Sequence, residues 1–143
     1  MIRRFAPSDE DDIIRVWLAA TISGQSFLSE EHWRAMEPEV RDRLLPAAQT
    51  WVVDDGMGVV AFISILGDLI GGLFTHPDHQ GEGHGRALVE HASRSLDPLF
   101  VEVFAANDEA LRFYRSRGFT DHEDGVDPES GLPILIMRMS RGT

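Results

Sequence analysis

No cysteine occurs among the 143 residues of this chain. Disulfides, thiolate nucleophiles and cysteine-ligated zinc are thereby excluded. Basic residues are also scarce: 13 Lys and Arg stand against 24 Asp and Glu, for a net charge of −11. Nucleic-acid binding, which is driven by basic side chains displacing counterions from phosphates, is therefore not expected. A cationic partner would suit the acidic chain, although acidity by itself also serves solubility. Long apolar runs are missing too. The longest, "GVVAFISIL", has the length of a strand and is too short to span a bilayer. Arg3 and Arg4 could open a secretory signal, but the acidic run Asp9 to Asp12 occupies the place of its apolar segment. Neither a membrane span nor a signal is expected, and cytoplasmic residence is the default.

What remains is 43% apolar and 26% charged, the balance of a globular protein, without internal repeat or linker-like tract. A single domain over residues 1–143 is the simplest organisation. "IRRFA" reads as a strand. "SDEDDIIRVWLAA" reads as a helix, with Ser8 and Asp11 at capping-box spacing and an apolar stripe of Ile13, Ile14, Trp17 and Leu18. A second helical region begins near Ser29, and Pro38 is expected to break it in two. "TWVVDDGMGVVAFISILGDLIGGLFT" then gives three β-type runs, separated by Asp-Gly at 55–56 and Gly-Asp at 67–68. That pattern is an antiparallel meander. A helix over roughly 83–96, the strand "LFVEVFA", a helix over about 108–117 closed by Gly118, and two final strands follow. The order β-α-α-β-β-β-α-β-α-β-β predicts a three-layer α/β or α+β domain with helices on both faces of a mixed sheet. The strand–helix–strand unit over 69–105 should bring its two strands side by side in parallel.

Three glycines, Gly81, Gly83 and Gly85, crowd the mouth of the helix that starts near 83, within Gln80-Gly81-Glu82-Gly83-His84-Gly85-Arg86. Each costs conformational entropy and adds nothing to a core. Their return is bare backbone N–H groups at a helix N-terminus, where the dipole favours an anion. A dinucleotide fingerprint would need glycine where Arg86 stands, and no Gly-Lys-Ser/Thr triplet completes a P-loop. Arg86 could add positive charge to the site or simply be a solvated side chain.

The string Gln-x-x-Gly-x-Gly, placed after a strand and an "HPD" turn and opening a helix, resembles motif A of the GNAT superfamily of N-acetyltransferases. "NDEALRFYRSRGF", Asn107 to Phe119, resembles the second signature of that superfamily. The resemblance covers about residues 50–140, and "SFLSEEHW" with "LLPAAQTWV" is similar to small bacterial members. It implies a mostly antiparallel mixed sheet with a splayed parallel strand pair, acetyl-CoA as cosubstrate and acetyl transfer to an amine of a small molecule, peptide or protein. It implies that the amides of residues 80–86 grip the pyrophosphate of coenzyme A. Leu73 and Thr75 would contribute backbone groups to the pantetheine arm beside a bulge at Gly71-Gly72, and Phe74 or its neighbour an oxyanion donor. Asn107 would bind the pantetheine arm or cap a helix. Tyr114, the only tyrosine, would be the general acid, since a phenol of pKa about 10 is protonated at neutral pH.

Glu102 is the first candidate base. By alternation it shares a strand face with Phe100 and Phe104, where desolvation could make it more basic. A surface ion pair or an ordered-water relay are the alternatives, and Asp68 and His76 are further candidates. Trp17, Phe27, His32 and Trp33 could wall an acceptor pocket or belong to the core. Family members are often monomers or homodimers. No metal is expected: His76, His79, His84 and His91 cluster in sequence, but no His-Glu-x-x-His occurs and the nearby acids show no ligand register. A non-catalytic acyl-CoA sensor would have the same motifs and show binding without turnover. A nucleotide-binding module would be protected by ATP or NAD as well as by acetyl-CoA.

Overall fold

The structure is a computed structural model that describes residues 1–141. Its element order is the expected one. β1 (Ile2–Arg4) and a 3-10 turn (Pro7–Asp9) lead into α1 (Glu10–Gly24), followed by the short helices α2 (Glu30–Ala35), α3 (Glu37–Glu39) and α4 (Leu45–Ala47). β2 (Gln49–Asp54), β3 (Val59–Leu66) and β4 (Leu69–Thr75) form the meander. Then come α5 (His84–Ser93), β5 (Leu99–Phe104), α6 (Asp108–Ser116), β6 (Thr120–Val126) and β7 (Pro133–Met139).

Seven strands make one sheet in the order β1-β2-β3-β4-β5-β7-β6. Every neighbouring pair is antiparallel except β4–β5, the pair joined through α5. Period-2 alternation in the strands supplies two apolar faces. On one face Leu88, Val89, Leu111 and Tyr114 of α5 and α6 pack with Ile63, Val101 and Val103. On the other, Ile13, Trp17, Trp33 and Val40 pack with Val52 and Phe62. The helices therefore lie on both sides of the sheet, as the order of elements predicts.

Two local expectations are corrected and a third is met. The capping box of Ser8 and Asp11 does not form. Asp9 is the buried acid instead, and it accepts from Arg3 Nη1 at 2.8 Å, Arg3 Nη2 at 2.9 Å and the Ala6 amide at 2.8 Å. The long-range guanidinium wins over local capping, because a bidentate charge-assisted pair is stronger than a neutral cap. Pro38 does divide the second helical region: α2 ends at Ala35 and α3 starts at Glu37 with Pro38 in its first turn, and a π turn (Val40–Leu44) precedes α4, with the Leu45 amide reaching Val40 O. Helix α5 stops at Ser93, short of residue 96, where the Ser93 hydroxyl turns back to Glu90 O at 3.0 Å.

The Arg3 guanidinium, more than any other group, holds the Asp9 carboxyl below its ordinary range. Asp9→Ala is expected to lower the unfolding free energy by about 1.5–3 kcal/mol in urea melts. Because the folded-state pKa is the lower one, this stabilisation is present above the unfolded value near 4 and is lost as pH falls further toward the folded value. The gap between wild type and variant should therefore narrow below about pH 4.

Candidate active site

The site begins where β4 and β5 part. Their ladder consists of Leu69 opposite Phe100 and Ile70 opposite Val101, with the Phe100 amide donating to Asp68 O at 2.8 Å. Past Ile70 no register joins them. The cause lies on the other edge of β4, where Ile65 faces Ile70 and Ser64 faces Gly72, leaving Gly71 as an extra residue. Such a bulge bends its strand. A Cβ at Gly71 would lie 3.1 Å from Leu44 and Leu66, and one at Gly72 3.0 Å from Phe74, so the tight bend is made for glycine. Beyond it the His76 amide donates to Val60 O at 2.8 Å. By alternation the amide of Phe74 also points toward β3, while those of Leu73 and Thr75 face the gap.

The chain leaves β4 through a 3-10 turn (Pro77–His79), whose first N–H groups are met by His76 Nδ1 accepting from the Asp78 amide at 3.1 Å. Gln80 Nε2 reaches back to Thr75 O at 3.5 Å. Gly81 and Gly83 take left-handed φ values of +81° and +84°, which only glycine adopts without strain. Gly83 is the N-cap of α5, and no side chain caps that end. The first amides of the helix are thus left for an external acceptor. Arg86 is exposed, with Nε 3.3 Å from Glu90 one turn on. Glu82 Oε1 lies 2.9 Å from His84 Nε2 and 3.1 Å from His79 Nδ1, and these contacts, His84 first, hold its carboxyl below the ordinary range.

A cavity of about 630 Å³ joins the loop, the strand gap and the start of α6. Tyr114, Glu102 and every residue singled out from the sequence as cofactor-binding except Glu82 line it. Asn107 caps α6, accepting from the Ala110 amide at 3.1 Å, and also faces the cavity, so the capping reading is correct and leaves its amide nitrogen for other partners. Tyr114 is 6% exposed, packed edge-on to Phe113 and Phe119 with centroids at 5.1 and 5.2 Å. Burial alone pushes its phenol above the ordinary pKa of 10. No enclosed polar side-chain atom among the described residues lacks a partner, and Tyr114 lines the cavity, which places its hydroxyl on that space.

Glu102 departs from expectation. It faces the cavity but is exposed, not shut between Phe100 and Phe104. Those rings turn elsewhere, Phe104 onto Phe27 and Trp33 and Phe100 onto His122. Asp68 and His76 lie outside the lining. Trp17 and Trp33 belong to it, and Trp33 Nε1 donates to Gln25 O at 3.0 Å, fixing the turn between α1 and α2. Phe27 and His32 stand behind, against Phe104 and Trp33. Thr21, Gln25 and Glu109 also line the cavity. Nothing in the sequence marked them, since Glu109 in a first helical turn reads as an ordinary partner of the helix dipole.

The model of a GNAT acetyltransferase domain matches residues 46–121. The chain belongs to the GNAT acetyltransferase family. Two full-length relatives of this GNAT protein come from Escherichia coli (strain K12). Peptidyl-lysine N-acetyltransferase YiaC is 33% identical over 138 residues, covering 96% of this chain and 94% of the relative. Peptidyl-lysine N-acetyltransferase YjaB is 34% identical over 140 residues, covering 97% and 95%. The solution structure of apo YjaB superposes with a TM-score of 0.86 at 32% identity, covering 100% of this chain and 98% of the other. A PaiA N-acetyltransferase from Thermoplasma acidophilum, solved in complex with coenzyme A, shares the fold with a TM-score of 0.82 at 17% identity over 98% of each chain. The protein is thus an N-acetyltransferase, and both GNAT signatures of its sequence border one cavity.

Proposed function

We propose that this GNAT enzyme moves the acetyl group of acetyl-CoA to the ε-amine of lysine in a peptide or protein. The observation that carries the reading is that the uncapped α5 N-terminus, the Tyr114 phenol and Glu102 border the same cavity. The residues present fit coenzyme A: left-handed glycines and free amides suit a diphosphate, and the gap past Ile70 leaves strand-edge groups for an extended amide arm. Two full-length relatives bear the name peptidyl-lysine N-acetyltransferase. Glu102 and Glu109 on the cavity, in a chain of net charge −11, favour a cationic acceptor.

Bound acetyl-CoA supplies a thioester carbonyl. Glu102, directly or through water, takes a proton from the lysine ammonium so that the neutral amine can attack. A gap-facing amide, Leu73 or Thr75, donates to the carbonyl oxygen as charge gathers there. As the C–N bond forms and the C–S bond breaks, Tyr114 donates its proton to the leaving sulfur. The second proton of the attacking nitrogen leaves to solvent, which also takes the proton held by Glu102 and returns one to Tyr114 before the next turnover.

All 13 basic residues are arginines, so the enzyme contains no lysine to accept acetyl itself. Acetyl-lysine formed in a mixture with a lysine peptide is then product. We expect stoichiometric thiol release with the acetyl located on the ε-amine by mass spectrometry. Glu102→Gln should lower kcat by about 100-fold or more. Acetylation confined to the peptide α-amine or to small amines would reject lysine as the acceptor, and an unimpaired Glu102→Gln would assign proton removal to water.

A further inference from the structure

His79, Glu82 and His84 show no helical ligand spacing, yet the loop folds them together. The left-handed Gly81 and Gly83 curl the chain so that one ligand atom from each lies within 4.8 Å of the others. We propose that these three residues form a binding site for a divalent transition-metal ion of borderline softness, Zn²⁺ above all, at the rim of the cofactor cavity. Two imidazoles and a carboxylate are the donor set of zinc sites that hold three protein ligands and leave a position open. Mg²⁺ and Ca²⁺, which require oxygen ligands, do not fit it.

The geometry is close to what binding needs. Bonds of about 2.0–2.2 Å to a tetrahedral ion set neighbouring ligand atoms roughly 3.3 Å apart. Glu82 Oε1 already stands 2.9 Å from His84 Nε2 and 3.1 Å from His79 Nδ1. Side-chain exposures of 33%, 51% and 22% for His79, Glu82 and His84 give the ion a way in from solvent. His76 is not part of the set, because its Nδ1 accepts from the Asp78 amide.

The position carries a consequence. Glu82 places a carboxylate in a loop read above as the holder of a diphosphate, an unfavourable pairing of like charges. A bound dication reverses that sign, so metal occupancy should tighten coenzyme A binding, and coenzyme A should tighten the metal by the same factor. This coupling rests on the cofactor reading; the metal site does not.

The test is calorimetric titration of the full chain with ZnCl₂ alone in a non-chelating buffer. Saturable binding of one zinc per chain is expected, with no heat from MgCl₂. His79→Ala and His84→Ala should each weaken binding by at least about tenfold, the loss that even removal of a supporting hydrogen-bond partner costs a metal site. His76→Ala should not. Substituted Co²⁺ should show the visible bands of a low-coordinate site, diminished in Glu82→Gln. Absence of saturable zinc binding, or binding that survives both His79→Ala and His84→Ala, overturns the site. Titrating coenzyme A with and without zinc then tests the coupling: tighter binding supports it, and unchanged or weaker binding refutes it while leaving the zinc result to stand.

Discussion

Tyr114→Phe is expected to lower kcat for acetyl transfer by about 10²–10⁴-fold, the usual contribution of a positioned general acid. The substitution removes one oxygen and keeps the ring against Phe113 and Phe119, so fold and cofactor affinity should be retained. The loss should fall on kcat, with little change in the Kd of acetyl-CoA, because the proton is needed only as sulfur departs. Burial disfavours the phenolate and raises the pKa of Tyr114. The protonated acid therefore persists through alkaline pH, and the wild-type rate profile should show no falling limb from this phenol below its ordinary pKa of about 10. An undiminished kcat in Tyr114→Phe would reduce the residue to core packing.

Gly83→Val should raise the KM for acetyl-CoA by at least about tenfold. A β-branched residue at φ +84° carries strain of roughly 1–3 kcal/mol, which the loop relieves by turning its peptide units. Turning them removes the amides from the anion. No neighbour lies within 4 Å of a Cβ at Gly83, so the effect is one of backbone conformation and not of crowding. Gly56→Val provides the control. Gly56 has φ +94°, equally open surroundings and a place in the β2–β3 turn outside the cavity lining. It should lower thermal stability and leave the KM for acetyl-CoA unchanged. Equal KM values for the two variants would mean that the conformation at Gly83 does not serve the cofactor.

Much of this architecture was legible because its signals are local. Asp-Gly and Gly-Asp at 55–56 and 67–68 mark real turns, with Gly56 and Gly67 left-handed, and Gly118 closes α6 at φ +97°. Asn107 reads as a cap and is one. The bulge at Gly71 was visible as a glycine pair, although only the register shows which glycine is extra. The failures involve partners distant in sequence. Asp9 belongs to Arg3 rather than to its own helix, and Arg3 also donates to Asp54 at 3.0 Å. Glu102 was expected between two rings, but alternation fixes only the face of a strand. Whether Phe104 leans toward Glu102 or toward Phe27 depends on the α1–α2 loop and on Trp33 of α2. Likewise, residues 79, 82 and 84 converge through two left-handed glycines, a conformation that no spacing rule for helices or strands describes. The part of the cavity lined by Thr21, Gln25 and Glu109 is assembled from the end of α1 and the start of α6 and left no motif at all.

The most direct test of the central claim is a crystal structure with acetyl-CoA. The amides of residues 81–86 should lie about 2.7–3.2 Å from diphosphate oxygens, with the pantetheine arm running between β4 and β5 toward Tyr114. A diphosphate bound elsewhere, with those amides turned away or bonded to the protein's own side chains, would contradict it.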